Sequence, residues 1–175
     1  MKNIIILLIT ATLFAGDWSA PVEVRHDETL CLTYRARLDG PYLVVEAKIE
    51  SPWHTFSMDN TKRAEEKLAG KKAISMDRPT EIVLSGGLAA EGGWLQTPPK
   101  DFSKPQLRWF SWGFEDHATF AVKVKRLGAG PAKLAIKGQA CTDSICRNID
   151  TSLTVTASKP GASAELDLGG LTPVR

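Results

Sequence analysis

Beyond residue 20, apolar side chains recur at every second position over short runs broken by Gly, Pro and Asp, which is the period of half-buried strands rather than helices. Residues 30–38 form one such run, and the turn Asp39-Gly40-Pro41 leads into another at 42–49, so the pair predicts a hairpin. Further strands are predicted at 53–57, 73–76, 81–85, 107–112, 118–127, 132–140 and 151–158, with Gly128-Ala129-Gly130-Pro131 joining two of the strongest. About seven to nine short strands at this spacing predict an all-β fold, an immunoglobulin-like β-sandwich of two sheets. Residues 61–69 (TKRAEEKLA) break the pattern with a short helical insertion: good helix formers, a cap at Asn60 or Thr61, Lys62 and Glu66 four apart, and Gly70 as a stop.

The opening residues follow another logic. Lys2 precedes the apolar run 4–14, and the small residues Ala15, Gly16, Ser19 and Ala20 follow it, the layout of a cleavable signal peptide. Cleavage after Ala15 or Ala20 fits that pattern. The run, about 11 residues, falls short of the roughly 20 of a membrane helix, and nothing later approaches that length, so no transmembrane segment is expected in the mature chain. The expected organisation is a signal peptide at 1–20, one sandwich domain at 21–158, and a flexible tail at 159–175, rich in Gly, Ala and Pro. A formal charge of +2 with both signs interspersed gives no footprint for nucleic acid or an anionic membrane surface.

Export changes the meaning of the three cysteines, because an oxidising compartment lets a disulfide persist and an odd count leaves one thiol over. In Cys141-Thr142-Asp143-Ser144-Ile145-Cys146 two cysteines flank four mostly polar residues at the end of a predicted strand. A hairpin connection of that length can bring the sulfurs to bonding distance, since the Cα atoms need approach only to about 5.5 Å. So small a ring would stabilise the fold by only about 2 kcal/mol on the chain-entropy model. Most bridges in exported β-domains are nevertheless inert, so a structural clamp and a redox couple both stay open on the residues alone. Asp143 is either a proton-relaying group or a turn residue. Cys31, between Leu30 and Leu32, reads as a small buried hydrophobe. His26, His54 and His117 have no metal-ligand spacing, and no phosphate loop, nucleophile elbow or His-Glu-x-x-His motif occurs, so no metal or cofactor is expected; a metal chaperone holding copper or zinc with the cysteine pair and one histidine is the minor alternative.

Four segments occur in an order that resembles a known family: Trp53-His54-Thr55-Phe56-Ser57, Arg78-Pro79-Thr80-Glu81-Ile82, the aromatic stretch before Phe120-Ala121-Val122-Lys123-Val124, and the cysteine hairpin with its internal Asp143. Over residues 22–157 the chain resembles the N-terminal periplasmic domain of the DsbD thiol:disulfide interchange proteins. The resemblance implies an immunoglobulin-like fold whose redox couple is Cys141 and Cys146. It implies a periplasmic protein-disulfide reductase component that takes electrons from a membrane-embedded thiol reductase and passes them to thioredoxin-like proteins. It also implies an aromatic cap over the disulfide, which here falls on Leu107-Arg108-Trp109-Phe110-Ser111-Trp112 and makes Trp109 and Phe110 candidate modulators. Two departures stand out: Arg147-Asn148-Ile149-Asp150 replaces the family's proline-containing segment after the second cysteine, and no membrane portion is present, so a stand-alone relay with a separate donor is expected. The alternative is a non-catalytic binding or structural module with an inert hairpin disulfide. A β-hairpin supplies no helix N-terminus to lower a thiol pKa, so the pair is expected to react slowly with small reagents and faster with a docked protein. A Cys146→Ala variant is expected to trap the mixed disulfide.

Overall fold

The computed structural model describes residues 18–71, 77–156 and 166–175; most of the expected leader and the strand expected at 73–76 lie outside them. In chain order the strands are β1 (Val22–His26), β2 (Thr29–Asp39), β3 (Tyr42–Ile49), β4 (His54–Phe56), β5 (Glu81–Gly86), β6 (Leu88–Ala90), β7 (Leu95–Gln96), β8 (Lys100–Asp101), β9 (Trp112–Phe114), β10 (His117–Arg126), β11 (Ala132–Cys141), β12 (Cys146–Val155) and β13 (Thr172–Pro173), with helix α1 (Asn60–Leu68) after β4. The first sheet runs β1-β2-β3-β10-β7-β13, with β6 also on β10. The second runs β12-β11-β4-β9-β8, with β5 also on β11. Every pairing is antiparallel, and the result is the expected two-sheet sandwich with one short helix.

Alternation along the strands builds the core between the sheets. Tyr34, Ala36, Val45 and Phe120 from one sheet meet Ile82, Phe114, Leu134, Ile136 and Leu153 from the other, all buried, and full burial of each large side chain stabilises by about 1.5–3 kcal/mol. Cys31 joins them with no exposed surface, and burial pushes its thiol pKa up. The chain changes sheets at one corner twice, between β5 and β6 and between β10 and β11. There Gly87 N–H donates to Pro131 O (3.1 Å) and Leu127 N–H to Gly87 O (2.9 Å). A Cβ on Gly87 would collide with the Gly130 carbonyl, so only glycine allows this approach.

Several local expectations are corrected. Helix α1 starts after Asp59 rather than at a capping Asn60, and no side-chain cap bond forms. Asn60 is instead fully buried and turned inward. Residues 107–112, expected as a strand, mostly form a turn: Pro105–Leu107 is a single 3-10 turn and Arg108 is left-handed at φ 50°, Trp109 makes an isolated bridge to Lys104, and a regular strand begins only at Trp112. Trp112 is buried. The last residues, expected in a loose tail, are held: β13 pairs with β7, Val174 N–H donates to Trp94 O (2.9 Å) and Arg175 N–H to Asp59 Oδ2 (3.2 Å). At the other end Ser19 exchanges hydrogen bonds with Ala36, and Trp18 lies under the guanidinium groups of Arg35 and Arg37.

Asp59 joins helix, sheet and chain end. Its buried carboxylate accepts from Arg63 Nε (2.8 Å), Gln96 Nε2 (2.9 Å) and the Arg175 amide. Burial alone would raise its pKa, but these donors outweigh it and hold the group at about 2. Asp59→Asn is expected to lose about 2 kcal/mol of stability at neutral pH. The folded pKa lies below the unfolded value of about 3.9, so this stabilisation is complete above that value and fades as pH falls toward about 2. Urea unfolding at neutral and acid pH checks it: the gap between wild type and variant should close in acid, and a gap that stays constant contradicts the assignment.

Candidate functional site

Strand β11 pairs with β12 from Ala132 opposite Val155 through to Cys141 opposite Cys146. Beyond the cysteines, Thr142 N–H donates to Ile145 O (2.8 Å), which leaves Asp143 and Ser144 as the two corners of a tight turn. The Thr142 hydroxyl accepts from the amides of Ser144 (3.3 Å) and Ile145 (3.2 Å) and steadies the corner. Because Thr142 and Ile145 take the hydrogen bond, Cys141 and Cys146 occupy the next, non-hydrogen-bonded position, where facing strands come closest. Their Cα atoms are 4.0 Å apart and the sulfurs are bonded.

The parity of β11 decides where the sulfurs point. Leu134, Ile136 and Ala140 face the core, so Cys141, one residue out of step, projects from the outer face of the second sheet together with Lys133, Lys137 and Gln139. Lys133 and Lys137 are exposed, yet Cys141 retains only 2% of its surface. Cys146, across the ladder, is exposed. The pair is thus asymmetric: one sulfur-bearing residue is open to solvent and the other is shut in.

The neighbour of Cys141 on its other side is His54 of β4, directly opposite in the register. A pair in that relation shares a face, with Cβ atoms about 4.5–5.5 Å apart. The His54 ring meets Phe56 edge-on (centroids 5.3 Å) and Phe102 at a tilt (5.2 Å). Burial lowers the pKa of His54 below its usual value, while the carboxylates of Asp77, Glu115 and Asp143 pull it upward and Lys104 adds to the lowering. Phe56 projects from the same outer face and is completely buried, so a third layer covers the sheet here.

That layer consists of α1, the segment 77–80 and an irregular hairpin from β8 to β9. The hairpin closes through Phe102 N–H to Ser111 O (2.9 Å), Lys104 N–H to Trp109 O (2.7 Å) and the β8–β9 pairing. Buried Asn60 fastens it, donating to Asp77 O (3.0 Å) and accepting from Trp112 N–H (2.7 Å). Trp109 Nε1–H donates to Asp77 Oδ2 (2.8 Å), and Lys104 Nζ lies 4.9 Å from the indole centroid. Gly113 in β9 leaves room for the Phe102 ring, 3.0 Å from where a Cβ would stand.

The expected site residues fall as follows. Cys141 and Cys146 meet. Asp143 is an exposed turn corner. Trp109 is half-buried in the covering hairpin and anchors it, and Phe110 is half-buried beside it. Phe102 and His54, both in the aromatic layer, were absent from the expected set. The alternation of Trp53-His54-Thr55-Phe56 does place His54 on the face opposite Thr55, but only the register to β11 sets it beside a cysteine. Among the described residues no group of three or more His, Cys, Asp or Glu side chains is arranged to hold a metal ion, and no helix is long and apolar enough to cross a membrane.

The chain superposes on the N-terminal periplasmic domain of ScsB from Proteus mirabilis with a TM-score of 0.53 and 14% identity, over 86% of this chain and 56% of that one. The two share a fold. A second match is the N-terminal domain of Neisseria meningitidis DsbD in the reduced form, with a TM-score of 0.42 and 14% identity over 83% of this chain and 91% of that one. No protein-family model matches the sequence, and no curated protein matches it.

Trp109→Phe keeps the ring and deletes the indole donor to Asp77. The variant is expected to weaken the covering hairpin by about 1.5 kcal/mol, which corresponds to amide exchange at Phe102 and Ser111 faster by on the order of tenfold. Hydrogen exchange followed by NMR checks it; unchanged protection at both amides would show that Trp109 does not anchor the layer.

Proposed function

We propose that the chain is a periplasmic thiol-disulfide exchange relay working through reversible opening of the Cys141–Cys146 bond. The observation that carries this reading is the asymmetry of the pair on a strand ladder that does not need it. The hairpin is already closed by the full β11–β12 pairing and its turn, so a bridge across so short a loop adds only about 2 kcal/mol. A structural clamp gains nothing from leaving one sulfur-bearing residue open and covering the other, whereas exchange requires access to one sulfur and protection of its partner.

A partner thiolate attacks Sγ of exposed Cys146, the bond to Cys141 breaks, and Cys141 leaves as the thiolate. A second partner thiol then attacks the partner sulfur of the mixed disulfide, which completes the partner's disulfide and frees Cys146 as a thiolate. Read backward, the reduced pair passes two electrons to an acceptor. The donor in this reading is a membrane-embedded thiol reductase and the acceptors are periplasmic thioredoxin-like proteins. The periplasmic location is supported by the leader-like first residues and by the shared fold with a periplasmic domain.

Exposure reverses the trapping variant chosen from sequence. Cys141→Ala, which keeps the accessible Cys146, is expected to accumulate a mixed disulfide with a thioredoxin-like protein, and Cys146→Ala to accumulate little. In the same preparations the wild-type pair, equilibrated with thiol buffers, should show a reduction potential above about −300 mV. A more reducing potential, with no adduct on Cys141→Ala, would assign the bridge to an inert module.

A further inference from the structure

His54 has no part in the exchange steps so far, and its placement is specific. It stands directly opposite Cys141 in the β4–β11 register and on the same outer face, with its ring held between Phe56 and Phe102. The charged groups that act on it are Asp77, Glu115, Asp143 and Lys104. Burial is the largest influence and favours the neutral imidazole, the form that accepts a proton.

We propose that His54 is the proton acceptor that turns the buried Cys141 thiol into a thiolate for the resolving step. The proposal rests on the relay reading and adds a residue to it. In the reduced protein, exposed Cys146 attacks an acceptor disulfide, forms a mixed disulfide and expels the first acceptor thiolate. Cys141 is then a buried thiol, and burial disfavours its ionisation. His54 takes the Cys141 proton, and the Cys141 thiolate attacks Sγ of Cys146. The Cys141–Cys146 bond forms, the bond to the acceptor breaks, and the second acceptor sulfur leaves with the electron pair. The imidazolium returns its proton to solvent. In the opposite direction the same group protonates Cys141 as it leaves. His54 thus exchanges a proton with a reacting atom, the Cys141 sulfur, as general base in one direction and general acid in the other.

The test uses a small disulfide, so it needs no protein partner. Reduced protein mixed with 5,5′-dithiobis(2-nitrobenzoate) releases one coloured thiolate as Cys146 reacts and a second as Cys141 closes the ring. In the wild type the second phase should gain rate at a pH below the ordinary thiol range of about 8.5. His54→Gln, which cannot titrate, and His54→Phe, which keeps the aromatic stack, should both slow that phase at neutral pH by about tenfold or more. Both should move its pH profile upward and leave the first phase within about twofold of wild type. A folded variant of either kind with the wild-type second phase and profile overturns the proposal. A measurement that leaves His54 in place decides it as well: in Cys146→Ala the His54 imidazole resonances should report the ionisation of Cys141, and independent titrations overturn the proposal. Failure of the relay reading would appear elsewhere, as a deeply reducing potential and no protein adduct, with the His54-dependent phase intact.

Discussion

Strand β11 is hydrogen-bonded along both edges, to β12 on one side and to β5 and then β4 on the other, and this double pairing places both bridged cysteines and sets His54 beside one of them. A slip of one residue would turn Cys141 into the core and bring Leu134 and Ile136 out to solvent. Burial of those two, with Ile149 and Leu153 on β12, therefore holds the sulfurs and His54 in one row from a distance. The change of neighbour falls at Gly138, where a Cβ would stand 3.2 Å from the Pro79 carbonyl. Bare backbone at that point lets the segment 77–80 run close beside β11, and the same segment carries Asp77 to its bond with Trp109. Core packing and the cover over the site meet at one glycine.

The cover is a different kind of structure from the sandwich. His54, Phe56 and Phe102 form a thin aromatic stack, while the parts above it are fastened by single polar contacts, Asn60 to Asp77 and Trp112, and Trp109 to Asp77. Such contacts are costly to leave unmade when buried, which makes the layer specific. The tip of its hairpin is bare: Leu107 keeps 51% of its surface and Pro105 to Arg108 are all exposed. Segments with few buried apolar contacts open at lower cost than core strands. The covering layer therefore opens at lower cost than the ladder beneath it.

The long strands and the cysteine hairpin were legible in the sequence because both are local. Tyr42–Ile49 repeats an apolar buried residue at every second position, Leu43, Val45, Ala47 and Ile49, and the hairpin carries its own turn chemistry. The third layer was not. In Leu107-Arg108-Trp109-Phe110-Ser111-Trp112 the aromatic content reads as strand, but Trp109 makes only an isolated bridge, to Lys104, and Arg108 is left-handed, so tertiary contacts override the propensity. Strands of two residues, such as β7 and β13, contain no period to detect, and for that reason the end of the chain read as loose. The place of His54 is invisible for a related cause: parity gives its face, and only a non-local register gives its neighbour.

The two sulfurs of a hairpin disulfide start out nearly equivalent, since neither sits at a helix N-terminus that would lower its pKa. Sheet order removes the equivalence. β12 is the outermost strand of its sheet, whereas β11 lies one place inward with β4 and β5 on its far side. A residue on an outermost strand has one flanking strand, and a residue one strand in has two, so Cys146 stays open while Cys141 is closed over by the row that includes His54. Ile145 beside it, with 41% of its surface free, gives that edge an apolar contact next to the accessible sulfur. In the proposed relay this directs an incoming thiolate to Cys146 and keeps Cys141 for closing the ring. The order of attack in the proposed relay thus follows from a topological fact, the rank of each strand in its sheet, before any side-chain chemistry acts.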